Sequence, residues 1–302
     1  MNYLLKEKTI NFSFILPALI VFSIFYIYPF FYTFILSLTN YELIGGLNLK
    51  ENFVGLQNFR DLISDKTWWK SIYNGGFITF WALSFQNILA FMLALAADKV
   101  IRLNKFYKIV FFIPPILSEI IIGVLFKQLM LSEPAGQDVL NHLLTNMGLG
   151  FLAQDWISGE HVRVVTALVH CWKGFGWAFV IFLAGLQSIP EQIYEAARID
   201  GASAWQSFRK ITVPLLMPVI TLILVLTILG TMQVFAMILA LNRGAAGEAV
   251  VPVMKIYYHI GSNQVGLACA EGLVLGLILV AVSFSMFFIS KKIRNKYGVL
   301  PN

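Results

Sequence analysis

Six stretches of this chain are long and apolar enough to cross the hydrocarbon core of a membrane: 12–38, 73–97, 107–131, 163–187, 211–241 and 267–290. A crossing helix needs about 20 apolar residues, because in lipid each backbone N–H and C=O must be satisfied inside the segment. Together these stretches fill just over half of the 302 residues, and those at 12–38, 73–97 and 211–241 hold no Asp, Glu, Lys or Arg. The first follows Lys6 and Lys8 as a signal peptide would. It is longer than an h-region and lacks a small-x-small cleavage site, so it reads as a retained span. Composition agrees: 58% of side chains are hydrophobic and 13% charged, against about 45–50% and about 25% in soluble domains. A soluble enzyme, a disulfide scaffold and a disordered regulator are thereby excluded. Cys171 and Cys269 both lie in apolar runs and read as small buried hydrophobes. The expected fold is an all-α membrane protein with six transmembrane helices in one domain over 1–302.

The placement of basic residues orients the chain. With the N-terminus inside, segments 1–11, 98–106, 188–210 and 291–302, together with Lys108, hold thirteen Lys and Arg, whereas the outer loops 39–72, 132–162 and 242–266 hold six. Cytoplasmic loops carry the basic excess, so both termini are expected in the cytoplasm. Topology thus accounts for the formal charge of +6, leaving nothing for a nucleic-acid partner to explain.

No sequence feature suggests a catalyst. A phosphate-cradling Gly-x4-Gly-Lys-Ser/Thr stretch is missing. The four histidines are scattered without a metal-binding spacing, and no Ser, His and Asp grouping has a nucleophile's context. Asn11-Phe12-Ser13 matches a glycosylation acceptor but falls at the cytoplasmic edge, so it is discarded. Trp68 and Trp69, near a Gly45-Gly46 turn, read as interfacial anchors.

The inner segment from Ser188 to Pro218 is the most informative. Ser188 with Glu191 forms a capping box and Pro190 suits a first turn, so a helix is predicted to start there. Gly201 is its expected left-handed stop, and Ser203 with Gln206 offers a second cap for a short helix through Phe208. Ile193, Tyr194, Ala197 and Trp205 would form a small apolar surface. Such a surface either rests on lipid headgroups or docks a cytoplasmic partner.

Glu195-Ala196-Ala197, Gly201 three residues further on, and Ile211-Thr212-Val213-Pro214 resemble the EAA loop of permease subunits in bacterial ABC importers. The surrounding string to Leu215, Pro17 to Tyr41, and Phe53-Val54-Gly55-Leu56-Gln57-Asn58-Phe59 resemble the carbohydrate branch, of the maltose and glycerol-phosphate type. The family usually has Leu-Pro where this chain has Val213-Pro214, and Thr-Gly-Gly-Gly-Pro where it has Asn242-Arg243-Gly244-Ala245-Ala246. The resemblance implies type I importer architecture in the bacterial cytoplasmic membrane. It implies a heterodimer with a second permease, two ATP-binding subunits that supply ATP and Mg in trans, and an extracytoplasmic solute-binding protein. Glu195, Ala196, Ala197, Asp200 and Gly201 would couple to the ATPase. The chain itself would bind no cofactor or metal and would be no enzyme.

Ionisable groups at membrane depth are costly and therefore suspect. Glu119 falls at the centre of the third stretch and Lys173 lies within the fourth, while Lys127 and Glu271 lie nearer an interface. His170, Gly174 and Trp177 recur at i, i+4 and i+7 on one helix face, and Thr231 and Gln233 interrupt the apolar fifth stretch. A polar group, a glycine and an aromatic on one face suit the wall of a sugar cavity. The resemblance implies a substrate site at Glu119, His170, Gly174, Trp177, Gly230, Thr231 and Val234. The plainer reading makes His170 and Glu119 interhelical hydrogen-bonding residues. A self-contained secondary transporter or channel is the rival function; interrupted helices would mark it.

Overall fold

The computed structural model describes residues 14–42, 52–99, 104–131, 139–159, 161–242 and 248–296. Lys6, Lys8, Asn11 to Ser13, Gly45-Gly46 and Arg243 to Ala246 lie outside them. Among the described residues the secondary structure is helical apart from one isolated bridge, Thr39 with Phe53. Five helices are long and apolar enough to cross a membrane, and a bent pair makes a sixth crossing. The chain divides into two compact units.

One unit comprises residues up to 65 together with 256–276. Its first helix, α1 (Phe14–Ser37), buries none of its apolar window within this chain. After α1 the chain turns, and the Asn58 amide of α2 (Gln57–Ser64) donates to the Ser37 and Thr39 carbonyls at 2.9 and 2.8 Å. Those bonds satisfy carbonyls that a helix end leaves without intrahelical donors. On the same unit the fully buried Glu271 carboxylate lies 2.9 Å from His259 Nδ1.

The other unit comprises 66–255 and 277–302. Here α3 (Lys66–Asp98), α7 (His161–Gln187) and α9 (Ala204–Met232) are the long helices. Ala90, Ala94 and Ala97 repeat on one face of α3 and are buried against Ala178, Phe179, Phe182, Leu183 and Leu186 of α7. Small side chains let the backbones approach, which is how helices gain contact where lipid removes the hydrophobic drive. Polar residues bind α3 to α9: the Thr79 and Thr231 hydroxyls are 2.7 Å apart, and Asn87 Nδ2 donates to Thr227 Oγ1 at 3.0 Å. The Arg163 guanidinium sits over the Tyr73 and Phe77 rings at 5.3 and 5.0 Å. Trp68, expected as an interfacial anchor, is instead fully buried, whereas Trp69 is exposed. The last helix, α11 (Val265–Lys296), meets α9 through a Thr221–Ser290 hydroxyl contact.

Two of the expected spans are not continuous helices. The stretch 107–131 is α4 (Asn104–Ile116) followed by α5 (Glu119–Met130), meeting at 93°. Pro114 and Pro115 cause the break, since neither has an N–H to donate to the preceding turn. The stretch 211–241 ends at Met232, and a separate α10 (Ala236–Asn242) follows Gln233. The two short helices pack together at Gly123 of α5, where a Cβ would come 2.5 Å from the Met237 carbonyl and 2.7 Å from the Ala240 methyl.

Candidate functional site

The break in the third span decides where Glu119 goes. Rather than sitting mid-helix, Glu119 is the first residue of α5. A carboxylate there faces the positive end of the helix dipole. Lys173 of α7 reaches it, Nζ to Oε1 3.3 Å, with both side chains partly accessible. This ion pair borders a cavity of about 420 Å³ lined by Gln86, Pro115, Glu119, His170, Lys173, Gly174, Trp177, Leu226, Thr227, Gly230 and Thr231. Glu119, His170, Gly174, Trp177, Gly230 and Thr231 of the expected site therefore share one cavity. Gln233 does not line it; it is exposed at the end of α9, and Val234 is buried elsewhere. Thr231 is almost fully buried and engaged with Thr79, so it builds the wall as much as it faces the space.

Sequence reasoning counted Lys173 among the charged groups at membrane depth without placing it in the substrate site, and it missed Gln86 and Thr227. Gln86 ends a π-helical turn, Ala82–Gln86, inside α3, a local widening that often marks functional sites. Its amide donates to Asn87 Oδ1 at 3.3 Å, while its Oε1 is buried without a hydrogen-bond partner among the described residues. The amide lies directly on the Gly174 backbone, where any Cβ would overlap it. A glutamine in an uncharged span facing a glycine in the fourth was the available signal, but their pairing across two helices is not visible in one dimension. His170 Nδ1 is likewise buried without a partner among the described residues. A larger cavity of about 510 Å³ lies between α5, α6 (Val139–Asn146) and the start of α7, but its walls are almost wholly apolar, as at Phe126, Leu168 and Trp172. It has little to offer a hydroxylated ligand.

The segment 188–210 departs from expectation at both ends. Ser188 does not cap α8 (Glu191–Ile199); its hydroxyl donates back to the Gly185 carbonyl at 2.7 Å, closing α7, and Pro190 is the N-cap without a side-chain bond. The second helix does not stop at Phe208. It starts at the Ser203–Gln206 capping box and runs through a π-helical turn, Phe208–Thr212, into the span. Nothing between Phe208 and Ile211 breaks the backbone, so α9 is one element from the 188–210 segment into the membrane span. Gly201 takes φ +76° and closes a Schellman motif, with its N–H on the Arg198 carbonyl and the Ala202 N–H on the Ala197 carbonyl at 3.1 and 2.9 Å. Glu195, Ala196 and Asp200 are exposed and Ala197 is buried. The exposed apolar groups are Ile193, Ile199 and Trp205, at 37%, 86% and 67%, rather than Tyr194, whose hydroxyl meets Thr212 Oγ1 at 2.9 Å.

A family described as the binding-protein-dependent transport system inner membrane component matches residues 7–295. The chain belongs to this family. Among relatives of this permease are the arabinooligosaccharides transport system permease protein of Bacillus subtilis, 30% identical over 92% of this chain and 87% of that protein. The multiple sugar-binding transport system permease protein of Streptococcus mutans is 30% identical over 95% and 97%. A crystal structure of a bacterial ABC transporter involved in the import of the acidic polysaccharide alginate shares the fold, with a TM-score of 0.80, 23% identity and coverage of 95% of this permease and 97% of that chain. Its six crossings therefore have the type I importer arrangement. The broken third span belongs to a permease and not to the rival self-contained carrier.

Proposed function

We propose that this permease carries a carbohydrate across the cytoplasmic membrane, as the transmembrane subunit of an ATP-driven importer. The observation that carries the reading is the cavity at the broken span, where the Trp177 ring shares a wall with Gln86, Glu119, His170, Lys173 and Thr227. Sugars match that mixture, because their C–H faces stack on aromatic rings and their hydroxyls need donors and acceptors. The names of the arabinooligosaccharide and multiple-sugar relatives agree with it. Glu119, His170, Gly174, Trp177 and Thr231 are the proposed contacts, joined by Gln86 and Lys173 and without Gln233.

A second permease would complete the pathway, and two ATP-binding subunits would dock on the inner face, bringing ATP and Mg. Ile199 and Trp205 present the apolar surface for docking beside the exposed Glu195 and Asp200, and Gly201 makes the turn between the two helices. Both termini are proposed to be cytoplasmic, with the binding protein outside; a C-terminal reporter active only outside the cell would reverse this.

The test is ATP hydrolysis in proteoliposomes that hold the permease with its co-purifying subunits, with and without a binding protein loaded with candidate sugars. Stimulation by the loaded binding protein alone is the expected result. Sugar entry with no ATPase present would overturn the coupled mechanism.

A further inference from the structure

We infer that the Glu119–Lys173 ion pair is a charge filter, and that the cargo is a neutral sugar bearing neither carboxylate nor phosphate. This deepens the sugar-site reading and rests on it.

Among the described residues, Glu119 and Lys173 are the only Asp, Glu, Lys or Arg side chains lining the cavity. They are paired with each other at 3.3 Å, so the wall offers a visiting anion no unmatched cation. A carboxylate or phosphate that took Lys173 would leave the Glu119 carboxylate unpaired beside a second negative charge. That arrangement is penalised twice, once by lost pairing and once by like-charge repulsion. A hydroxyl imposes neither cost. It can donate to Glu119 and accept from Lys173 while the pair stays intact, and the partial accessibility of both side chains leaves room for that contact. The uncharged remainder of the wall, Gln86, His170, Thr227 and Trp177, is consistent with a polyhydroxylated and uncharged ligand. On this basis Lys173 determines specificity, a role the sequence alone did not suggest.

The experiment uses the purified full complex in lipid nanodiscs, without binding protein, so that the permease's own selectivity is read. Binding of arabinotriose, maltotriose and raffinose is compared with binding of trigalacturonate and a mannuronate trimer, by quenching of tryptophan fluorescence with Trp177→Phe as control. The expected result is that at least one neutral trisaccharide binds and that both uronate trimers bind at least about tenfold more weakly. Glu119→Gln, which leaves Lys173 unmatched, should shrink that ratio about tenfold in favour of the uronates. The charge-swapped E119K/K173E variant should restore the preference for neutral sugars. Uronates that match the best neutral sugar would overturn the filter and leave the sugar-site reading standing. An unchanged ratio in a Glu119→Gln complex that still elutes intact would do the same. Binding of none of the five probes would overturn the filter and the sugar site together.

Discussion

The Gly176 backbone of α7 lies against the Phe111 carbonyl oxygen of α4, so closely that a Cβ on Gly176 would overlap it. Phe111 is four residues before Pro115, which has no N–H for a helical bond to that carbonyl. The contact sets the proline of the bent third span against a glycine that lets the neighbouring helix come close. A Cα–H···O approach of this kind is weak singly, but it leaves no room for any other residue.

Gly176→Ala should accordingly separate α7 from α4. Its Cβ would meet backbone and not the free end of a side chain, so neither partner can move cheaply. Overpacking of this sort costs about 1–3 kcal/mol. Thermal unfolding of the detergent-purified complex should show the loss, with transport falling further as the Glu119–Lys173 geometry is disturbed.

Gly174 and Gln86 form a testable pair. Gly174→Ala should displace the Gln86 amide and weaken sugar-stimulated ATPase activity, whereas Gln86→Ala opens the space the new methyl needs. The double variant should be less destabilised than the sum of the singles, with a coupling of about 0.5–3 kcal/mol in a double-mutant cycle. Additive effects would mean the amide does not rest on Gly174.

An aromatic ladder leads from the inner surface into the bundle. Trp205 stacks on Phe208 at 5.5 Å, Phe208 approaches Phe91 at 6.1 Å, and Phe91 meets Phe182 at 5.1 Å. Phe208→Leu retains most of the apolar volume and should cost less than about 1.5 kcal/mol. If movement of a docked ATPase passes along these rings, that variant should hydrolyse ATP normally while moving less sugar per ATP. An unchanged ratio would remove the ladder from the coupling path.

Gly201 has open space around the position of a Cβ, so its φ of +76° is the sole reason for glycine within this chain. Gly201→Ala should cost about 1–2 kcal/mol through backbone strain alone. Gly201→Asp should fold similarly yet lose co-purification of the ATP-binding subunits, because it adds charge to the proposed docking surface. Glu195→Ala tests the same surface. Unchanged association and uptake in both variants would sink the assignment.

Lys70 donates to the exposed Glu248 carboxylate at 2.7 Å, and that hydrogen bond holds Glu248 below the usual carboxylate range. A carboxyl whose pKa is lowered in the folded state contributes stability above its unfolded value, and the contribution fades as pH falls through the lowered one. This link between the 248–255 segment and α3 is therefore present at neutral pH and lost in acid, while those from Asn74 to the Val250 carbonyl and from Lys255 to Thr67 remain. Hydrogen exchange of amides 248–255 should quicken on acidification beyond the intrinsic trend, and Lys70→Met should show at pH 7 what acid does to the parent protein.

Hydropathy alone located six crossings, because lipid tolerates only long apolar helices, and local chemistry alone placed the stop at Gly201 and the cap at Ser203. These are properties of neighbours in sequence, where one residue's geometry constrains the next. The 93° bend sets the prolines against a glycine of another helix that lies close to the Phe111 carbonyl. Lys173 was one more charge at membrane depth until the bend brought Glu119 within 3.3 Å of it. Gln86 gained its place only from a π-helical turn and a glycine on α7. One-dimensional periodicity tells which face of a helix is polar, but not which face of another helix it meets. For that reason Glu119, His170, Gly174, Trp177, Gly230 and Thr231, which line one cavity, could be named from the sequence and its family resemblance, while the ion pair and the amide that complete that cavity came only from the packing of α3, α5 and α7.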